Sequence, residues 1–225
     1  MKTKILLVLC IPVIALAAPP NRPGTFANQG ARCDNECPQW NLTADTPTSL
    51  APAELVAAVE EERLAHDLYI IAAQRWNLRV FTHIAAAETR HGAALEALAE
   101  SAGITLPPVQ AGVYATPELQ SMYTQLLSLV NESLTGALQA GALVEETDIV
   151  DLRDLMKTTA DSRTRMVLEN LERASIQHLN AFVQNLEARG FKYEPQVLSN
   201  DEYAAVIGLD TGSKRGPGRG NRGRR

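Results

Sequence analysis

The segment Glu61-Glu-Arg-Leu-Ala-His-Asp-Leu68 recurs 84 positions later as Glu145-Glu-Thr-Asp-Ile-Val-Asp-Leu152. Both copies read Glu-Glu-x-x-x-x-Asp-Leu, and each lies among apolar residues spaced three or four apart. That spacing is typical of an amphipathic helix with one face toward a core. The repeat therefore indicates two related helices, one in each half of the chain, that carry acidic residues.

A histidine recurs in the helix that follows each copy. The first ends the stretch Ile84-Ala-Ala-Ala-Glu-Thr-Arg-His91, and the second, His178, lies 87 positions later. Glu88 and His91 share one helix face, because three residues turn a helix by about 300°. Ser175 stands before the second histidine where Glu88 stands before the first. The chain thus resolves into two helical hairpins, each with a carboxylate helix and a histidine helix.

The rest of the pattern predicts an all-α fold over residues 49–207. Ala, Leu, Glu and Gln, which favour helices, dominate its segments. The spacing and the capping residues predict four long helices, over 52–76, 79–102, 133–158 and 161–189. They also predict a shorter helix over 117–130 and a short terminal helix over 201–207. A stretch rich in Pro and Gly connects the second and third long helices and carries the shorter one. This order matches a ferritin-like four-helix bundle with one long crossover.

Composition excludes several other classes of protein. Apolar residues make up 45% and charged residues 21% of the 225 residues, which suits one folded domain with tails. Global disorder, a collagen-like repeat and a polytopic membrane protein are therefore excluded. Aromatic residues are only 5% of the chain, and β-branched residues do not dominate, which argues against an all-β sandwich.

The segment 1–18 has the features of a secretory signal. Lys2 and Lys4 precede an apolar run over 5–15, and small residues close it. The run is shorter than the ~20 residues that span a bilayer. We expect cleavage near Ala17 or Ala18 and export to the periplasm or the extracellular space; a retained N-terminal anchor is the alternative.

Residues 19–48 are predicted to be a disordered linker that carries a cysteine pair. Cys33 and Cys37 lie among Pro and Asn residues, and an even pair in an exported protein favours a local disulfide. A metal site is the weaker interpretation, since two cysteines without a nearby histidine do not complete a tetrahedral zinc site.

Residues 208–225 are predicted to be a disordered basic tail. Six of the 21 basic residues lie in its last thirteen positions, among four glycines. Such a segment has little apolar surface to bury. It is either a solvated tail or a tether to an anionic surface, and nucleic acid is the less favoured partner in an exported protein.

Charged residues occupy the apolar stripes of the long helices. A buried carboxylate is costly unless it is protonated, paired or bound to a cation. For the third long helix the repeat points to Glu146, whereas the apolar stripe points to Glu145, and both stay candidates. Carboxylates and imidazoles from four helices form the ligand set of a di-iron or di-manganese centre. The candidate metal ligands are Glu62, Glu88, His91, Glu145, Glu146 and His178; a buried hydrogen-bonded network without metal is the alternative.

These motifs resemble the ferritin-like superfamily, in particular a rubrerythrin-related, uncharacterised group of bacterial and archaeal ferritin-like proteins. The resemblance covers about residues 49–203. It implies a metal-binding four-helix bundle, and the pairing of Glu62 with Tyr69 seven residues later fits it. The family also has a glutamate three residues before the last histidine, where this chain has Ser175. The second metal position is therefore expected to be weak, asymmetric or empty.

The resemblance implies two iron ions, or one if the second position is degenerate, with manganese as the other choice. The family implies no settled activity. The first hypothesis for this chain is an oxidase or peroxidase type of redox reaction, with oxygen or peroxide as partner. Apart from the linker pair, the mature chain has no cysteines, so it has no rubredoxin-like electron-transfer centre. The alternative function is a non-catalytic envelope module with a degenerate metal site, tethered by the basic tail. The sequence is compatible with a homo-oligomer and does not specify the oligomeric state.

Overall fold

The structure is a computed structural model that describes residues 48–208. The predicted signal, the cysteine pair and the basic tail lie outside the described residues. Between residues 48 and 208 no helix combines the length and the apolar character needed to cross a membrane.

The described residues form six helices and no β-strand, so the predicted all-helical architecture is confirmed for them. The helices are α1 (Pro52–Trp76), α2 (Arg79–Ser101), α3 (Pro117–Glu132), α4 (Leu134–Thr158), α5 (Ser162–Glu187) and α6 (Asn200–Val206). The long helices pair as α1 with α2 and α4 with α5, and the pairs meet through α1 with α4 and α2 with α5. The shorter α3 packs against α1 and α4.

Local sequence signals set the ends of the long helices. Pro52 occupies the first turn of α1, where its missing N–H costs no hydrogen bond. Asn77 ends α1 in the left-handed conformation, with φ of 48°. Ser133 and Asp161 cap α4 and α5, since their side chains accept hydrogen bonds from Gly136 and Thr164.

The apolar core forms two clusters with a polar layer between them. On α1 one cluster ends at Val59 and the other begins at Leu64. On α2 the clusters are separated by the stretch from Ala85 to Ala94. Both gaps hold buried Glu or His side chains. Because the layer lies inside the helix packing, its groups are shielded from water.

The ring of Phe182 on α5 packs beside this layer against residues of the other three long helices. The ring of Phe182 lies 5.2 Å from that of Tyr69 and 5.8 Å from that of Phe81. It packs against Gly141, where a β-carbon would come within 2.7 Å of the ring. Only glycine therefore fits on α4 at this point.

A buried carboxylate on α1 holds the crossover. Glu60 accepts hydrogen bonds from the backbone N–H of Ala115 at 2.5 Å and of Thr116 at 3.0 Å, and from the Thr116 hydroxyl at 2.6 Å. These donors come directly before α3. The bonds therefore fix the start of α3 against α1.

A second buried carboxylate, on α4, holds the segment before α6. Glu146 is fully buried and accepts hydrogen bonds from the Tyr193 hydroxyl at 2.7 Å and from the N–H of Leu198 at 2.6 Å. It also accepts the N–H groups of Gln196 and Val197, at 2.9 and 2.7 Å. The segment over 193–198 is thereby fixed against α4.

Candidate metal centre

Glu88 lies between two histidines from different helices. One oxygen, Oε2, is 2.7 Å from His91 Nδ1, and the other, Oε1, is 3.0 Å from His178 Nδ1. The imidazole rings are 5.5 Å apart and nearly parallel, at 21°. All three side chains are buried. Residues 87 positions apart in the chain therefore share one carboxylate.

Two further carboxylates flank this group. Glu62 Oε2, from α1, lies 3.5 Å from His91 Nδ1. Glu145 Oε2, from α4, lies 3.3 Å from His178 Nδ1. Each histidine thus has one glutamate from the preceding helix of its own hairpin, and Glu88 is common to both. Five polar side chains from four helices meet in the polar layer.

Several polar atoms of this group are buried without an aligned hydrogen bond. Glu88 Oε1 and His178 Nδ1 are 3.0 Å apart, yet neither makes an aligned hydrogen bond. Glu62 Oε1 is also buried without a hydrogen-bond partner. A buried polar atom without a partner costs about 1–3 kcal/mol. A cation among these atoms would remove that cost.

A Glu–His–His cluster in this layer could hold a metal ion. One ligand atom each from Glu88, His91 and His178 lies within 4.8 Å of the others. Carboxylate oxygen and imidazole nitrogen suit iron, manganese and zinc. The side chains present therefore fit a divalent metal ion.

Burial and the two histidines set the charges of the carboxylates. Burial raises the pKa of Glu62 and of Glu145 to about 7 each, against the opposing effect of the histidines. Burial also acts to raise the pKa of Glu88, but the charges of His178 and His91 outweigh it and hold the pKa well below its ordinary value. Glu88 is therefore ionised, whereas Glu62 and Glu145 each titrate near neutral pH.

His178 has the matching shift. Burial acts to lower its pKa, but the carboxylates of Glu88 and then Glu145 raise that pKa well above the ordinary value. A metal ion binds the unprotonated imidazole, so binding would release this proton.

Tyr69 orients one of the flanking carboxylates. Its buried hydroxyl donates a hydrogen bond to Glu145 Oε1 at 2.6 Å. This leaves Glu145 Oε2 directed at His178. A neighbour that fixes a ligand in this way typically changes metal affinity about 10–100-fold when it is removed.

A small, partly open cavity of about 20 Å³ reaches the polar layer. Leu119 and Met122 of α3 form part of its apolar wall. Its acidic wall includes Glu62, Glu88 and Glu145 together with two more carboxyl groups, Glu61 and Asp148. The cavity has room for about one molecule the size of water beside the cluster.

Asp148 shares a hydrogen-bonded contact with α5. The Ser175 hydroxyl bonds to the Asp148 carboxyl group and to the carbonyl of Leu171, the latter at 3.0 Å. A hydroxyl has a single hydrogen, so one of the two bonds requires a proton on Asp148. Burial, and then the charge of Glu62, raises the pKa of Asp148 well above its ordinary value, which supplies that proton.

The structure brings five of the six predicted site residues together and separates the sixth. Glu62, Glu88, His91, Glu145 and His178 converge, whereas the Glu146 carboxylate is engaged by the segment over 193–198. The apolar stripe, not the Glu-Glu repeat, indicated the inward residue of α4. The Asp148–Ser175 contact was not predicted, although the three-residue step from Glu145 places Asp148 on the same face of the helix.

The fold and the site define an all-helical protein with a buried carboxylate–histidine cluster that could hold a metal ion. Residues 53–209 match the family described as "Uncharacterized protein domain (DUF2202)", and the chain belongs to this family.

A relative and a solved structure are similar to this chain. It is 35% identical over 159 residues to "Uncharacterized protein MJ0754" of Methanocaldococcus jannaschii, which covers 70% of this chain and 86% of that protein. The crystal structure titled hypothetical protein MJ0754, from Methanococcus jannaschii DSM 2661, has a TM-score of 0.69 and 34% sequence identity. That match covers 72% of this chain and 93% of the other. The described fold therefore has a counterpart in an archaeal protein.

Proposed function

We propose that this protein is an exported, ferritin-like four-helix bundle that binds iron at a carboxylate–histidine centre and carries out redox chemistry with oxygen or peroxide. The observation that carries the proposal is the position of Glu88. Its two oxygens lie 2.7 and 3.0 Å from the Nδ1 atoms of two histidines on different helices. A carboxylate between two imidazoles fits a ligand common to two metal positions.

The ligands divide into two sets around Glu88. Glu62 and His91 would serve one position, and Glu145 and His178 the other. Carboxylates with imidazole favour iron or manganese over copper(I). Bound iron would supply one-electron chemistry toward oxygen or peroxide.

The chain itself contributes shielding and orientation. The histidines and glutamates of the cluster are each no more than 4% exposed, which limits access of bulk water. Tyr69 holds Glu145 in place. The cavity beside α3 supports entry of a molecule as small as oxygen or peroxide. Export is supported by the basic and apolar segment over 1–18, and a surface tether by the basic segment over 208–225.

Metal binding is tested on the mature chain by anaerobic loading with Fe(II), removal of free metal and elemental analysis. We expect one to two iron ions per chain and a raised melting temperature, because a ligand that binds only the folded state stabilises it. His91→Ala should abolish both effects. His83→Ala, an exposed histidine on the same helix, is the matched control and should change neither.

Redox activity is tested on the loaded protein by following oxygen consumption and peroxide consumption with an added reductant. Turnover that disappears in His91→Ala and persists in His83→Ala supports the proposal. Stoichiometric iron without turnover would refute the redox part and leave a metal-binding module. No iron, manganese or zinc and an unchanged melting temperature would refute the metal centre itself.

A further inference from the structure

Two contacts between α4 and α5 form a matched pair. Glu145 and Asp148 are three residues apart on α4, and Ser175 and His178 are three residues apart on α5. Glu145 lies 3.3 Å from His178, and the Ser175 hydroxyl is hydrogen-bonded to Asp148. The two contacts are therefore successive steps along the same helix interface.

The corresponding position on α2 is occupied differently. There, Glu88 provides a carboxylate three residues before His91 and on the same face. On α5 the residue three before His178 is Ser175, whose side chain is buried and has no charge. A carboxyl group is nevertheless present at this place, because Asp148 reaches it from α4 and is held by the serine hydroxyl.

A separate observation points to a cation-binding environment beside Asp148. Glu62 is 4% exposed, and its Oε1 has no hydrogen-bond partner. The same cavity is lined by Glu62, Glu145 and Asp148. Three carboxyl groups on one cavity, one of them with an unpartnered buried oxygen, form an environment that a divalent cation would stabilise.

We propose that Asp148 is the fourth carboxylate of the metal centre and replaces, from α4, the glutamate that α5 lacks, with Ser175 as the residue that positions it. This inference rests on the proposed function, since it concerns the same centre. It assigns the second metal position a full set of ligands, in contrast to the weak or empty position expected from Ser175 alone.

The test uses Mn(II), which needs no exclusion of oxygen on the timescale of a titration. The mature chain is titrated by calorimetry, and the bound metal is counted by elemental analysis. Asp148→Asn keeps the size of the side chain and its bond to Ser175 but removes the charged ligand. Asp154→Asn removes the same charge from an exposed position on the same helix and is the matched control.

We expect two Mn(II) ions per chain in the natural protein and in Asp154→Asn, and one in Asp148→Asn. Ser175→Ala, which leaves the carboxylate in place but unsupported, should bind two ions with the weaker affinity reduced about 10-fold or more. The melting temperature of metal-free Asp148→Asn should not fall, because the change removes a carboxyl group from a crowded acidic layer. A merely structural role for Asp148 would lower that melting temperature and leave the metal count at two.

The remaining outcomes separate this inference from the proposed function. Two ions in Asp148→Asn would overturn the role of Asp148 and leave the metal centre standing. One ion in the natural protein would overturn the second position and leave a mononuclear site. No bound ion in any variant would refute the proposed function, and the inference with it.

Discussion

Replacement of Glu146 by glutamine tests whether the two neighbouring glutamates of α4 have different roles. Glu145 lies against His178, whereas Glu146 is fully buried and binds the segment before α6. Glu146→Gln should therefore weaken the fold without changing the number of bound metal ions. Glu145→Gln should do the reverse, since its carboxylate belongs to the cluster.

The expected loss of stability follows from the hydrogen bonds of Glu146. Its Oε1 accepts three backbone N–H groups, those of Gln196, Val197 and Leu198, at 2.6–2.9 Å. A hydrogen bond to a charged group contributes about 1.5–3 kcal/mol and a neutral one about 0.5–1.5 kcal/mol, so each bond loses about 1 kcal/mol. The glutamine oxygen can keep all three bonds in neutral form, and its amide can donate to the hydroxyl of Tyr193. The free energy of unfolding should thus fall by about 3 kcal/mol.

The assay is urea denaturation of the metal-free protein at pH 7, followed by circular dichroism, with metal counting on a parallel sample. Exposed Glu100→Gln on α2 is the control for loss of one carboxylate and should change neither quantity. A loss of less than about 1 kcal/mol in Glu146→Gln would show that the three bonds keep their strength without the charge. Loss of metal from this variant, with Glu145→Gln unaffected, would contradict the assignment of the inward residue.

Three further changes probe the polar layer, a helix cap and the packing of α4 on α5. Burial raises the pKa of Glu62 to about 7, so the contribution of this side chain to stability is complete below about pH 4.3 and is lost as the pH rises through 7. Glu62→Gln should therefore stabilise the metal-free protein at pH 8 by at most about 3 kcal/mol. At pH 4 the same change should not stabilise it. Burial acts to raise the pKa of Asp161, but the N–H groups of Thr164 and Ser49 hold it well below its ordinary value, so the cap contributes above about pH 4 and its effect is lost as the pH falls. Asp161→Ala should accordingly cost about 1 kcal/mol at pH 7 in urea denaturation and less at pH 3. Gly141→Ala places a β-carbon 2.7 Å from the ring of Phe182. Overpacking costs about 1–3 kcal/mol and outweighs the helix preference of alanine, about 1 kcal/mol, so the melting temperature should fall. An unchanged or higher melting temperature would contradict the described packing.

The helices could be predicted from sequence because their signals are local. The range predicted for the first helix, 52–76, agrees with α1, which has Pro52 in its first turn and Asn77 after its last residue. The predicted end of the last long helix extended two residues too far, since α5 ends at Glu187 and a turn follows to Gly190. Helix periods and caps involve residues within one or two turns of each other. These signals can therefore be recognised from the sequence without the tertiary structure.

The choice between Glu145 and Glu146 required tertiary information. The partners of Glu146 are about 50 positions further along the chain, in a segment with no regular periodicity. The repeat favours Glu146 because it compares residue types alone, whereas contact with the cluster depends on which side chain of α4 lies against His178. The partner of Asp148 required tertiary information for the same reason, since its contact with Ser175 joins two helices and residues that are 27 positions apart.

The arrangement of the fold as two helical hairpins has an evolutionary consequence. Each half of the fold is a helical hairpin followed by a segment that a buried glutamate of its first helix holds in place. A half-length ancestor with this plan would build the centre as a symmetric dimer, in which both copies necessarily carry the same residue at the positions of Glu88 and Ser175. Duplication into one chain removes that restriction. One half can keep its glutamate while the other changes to serine. A single fused chain can therefore form a centre with unequal halves, whereas a dimer of identical chains cannot.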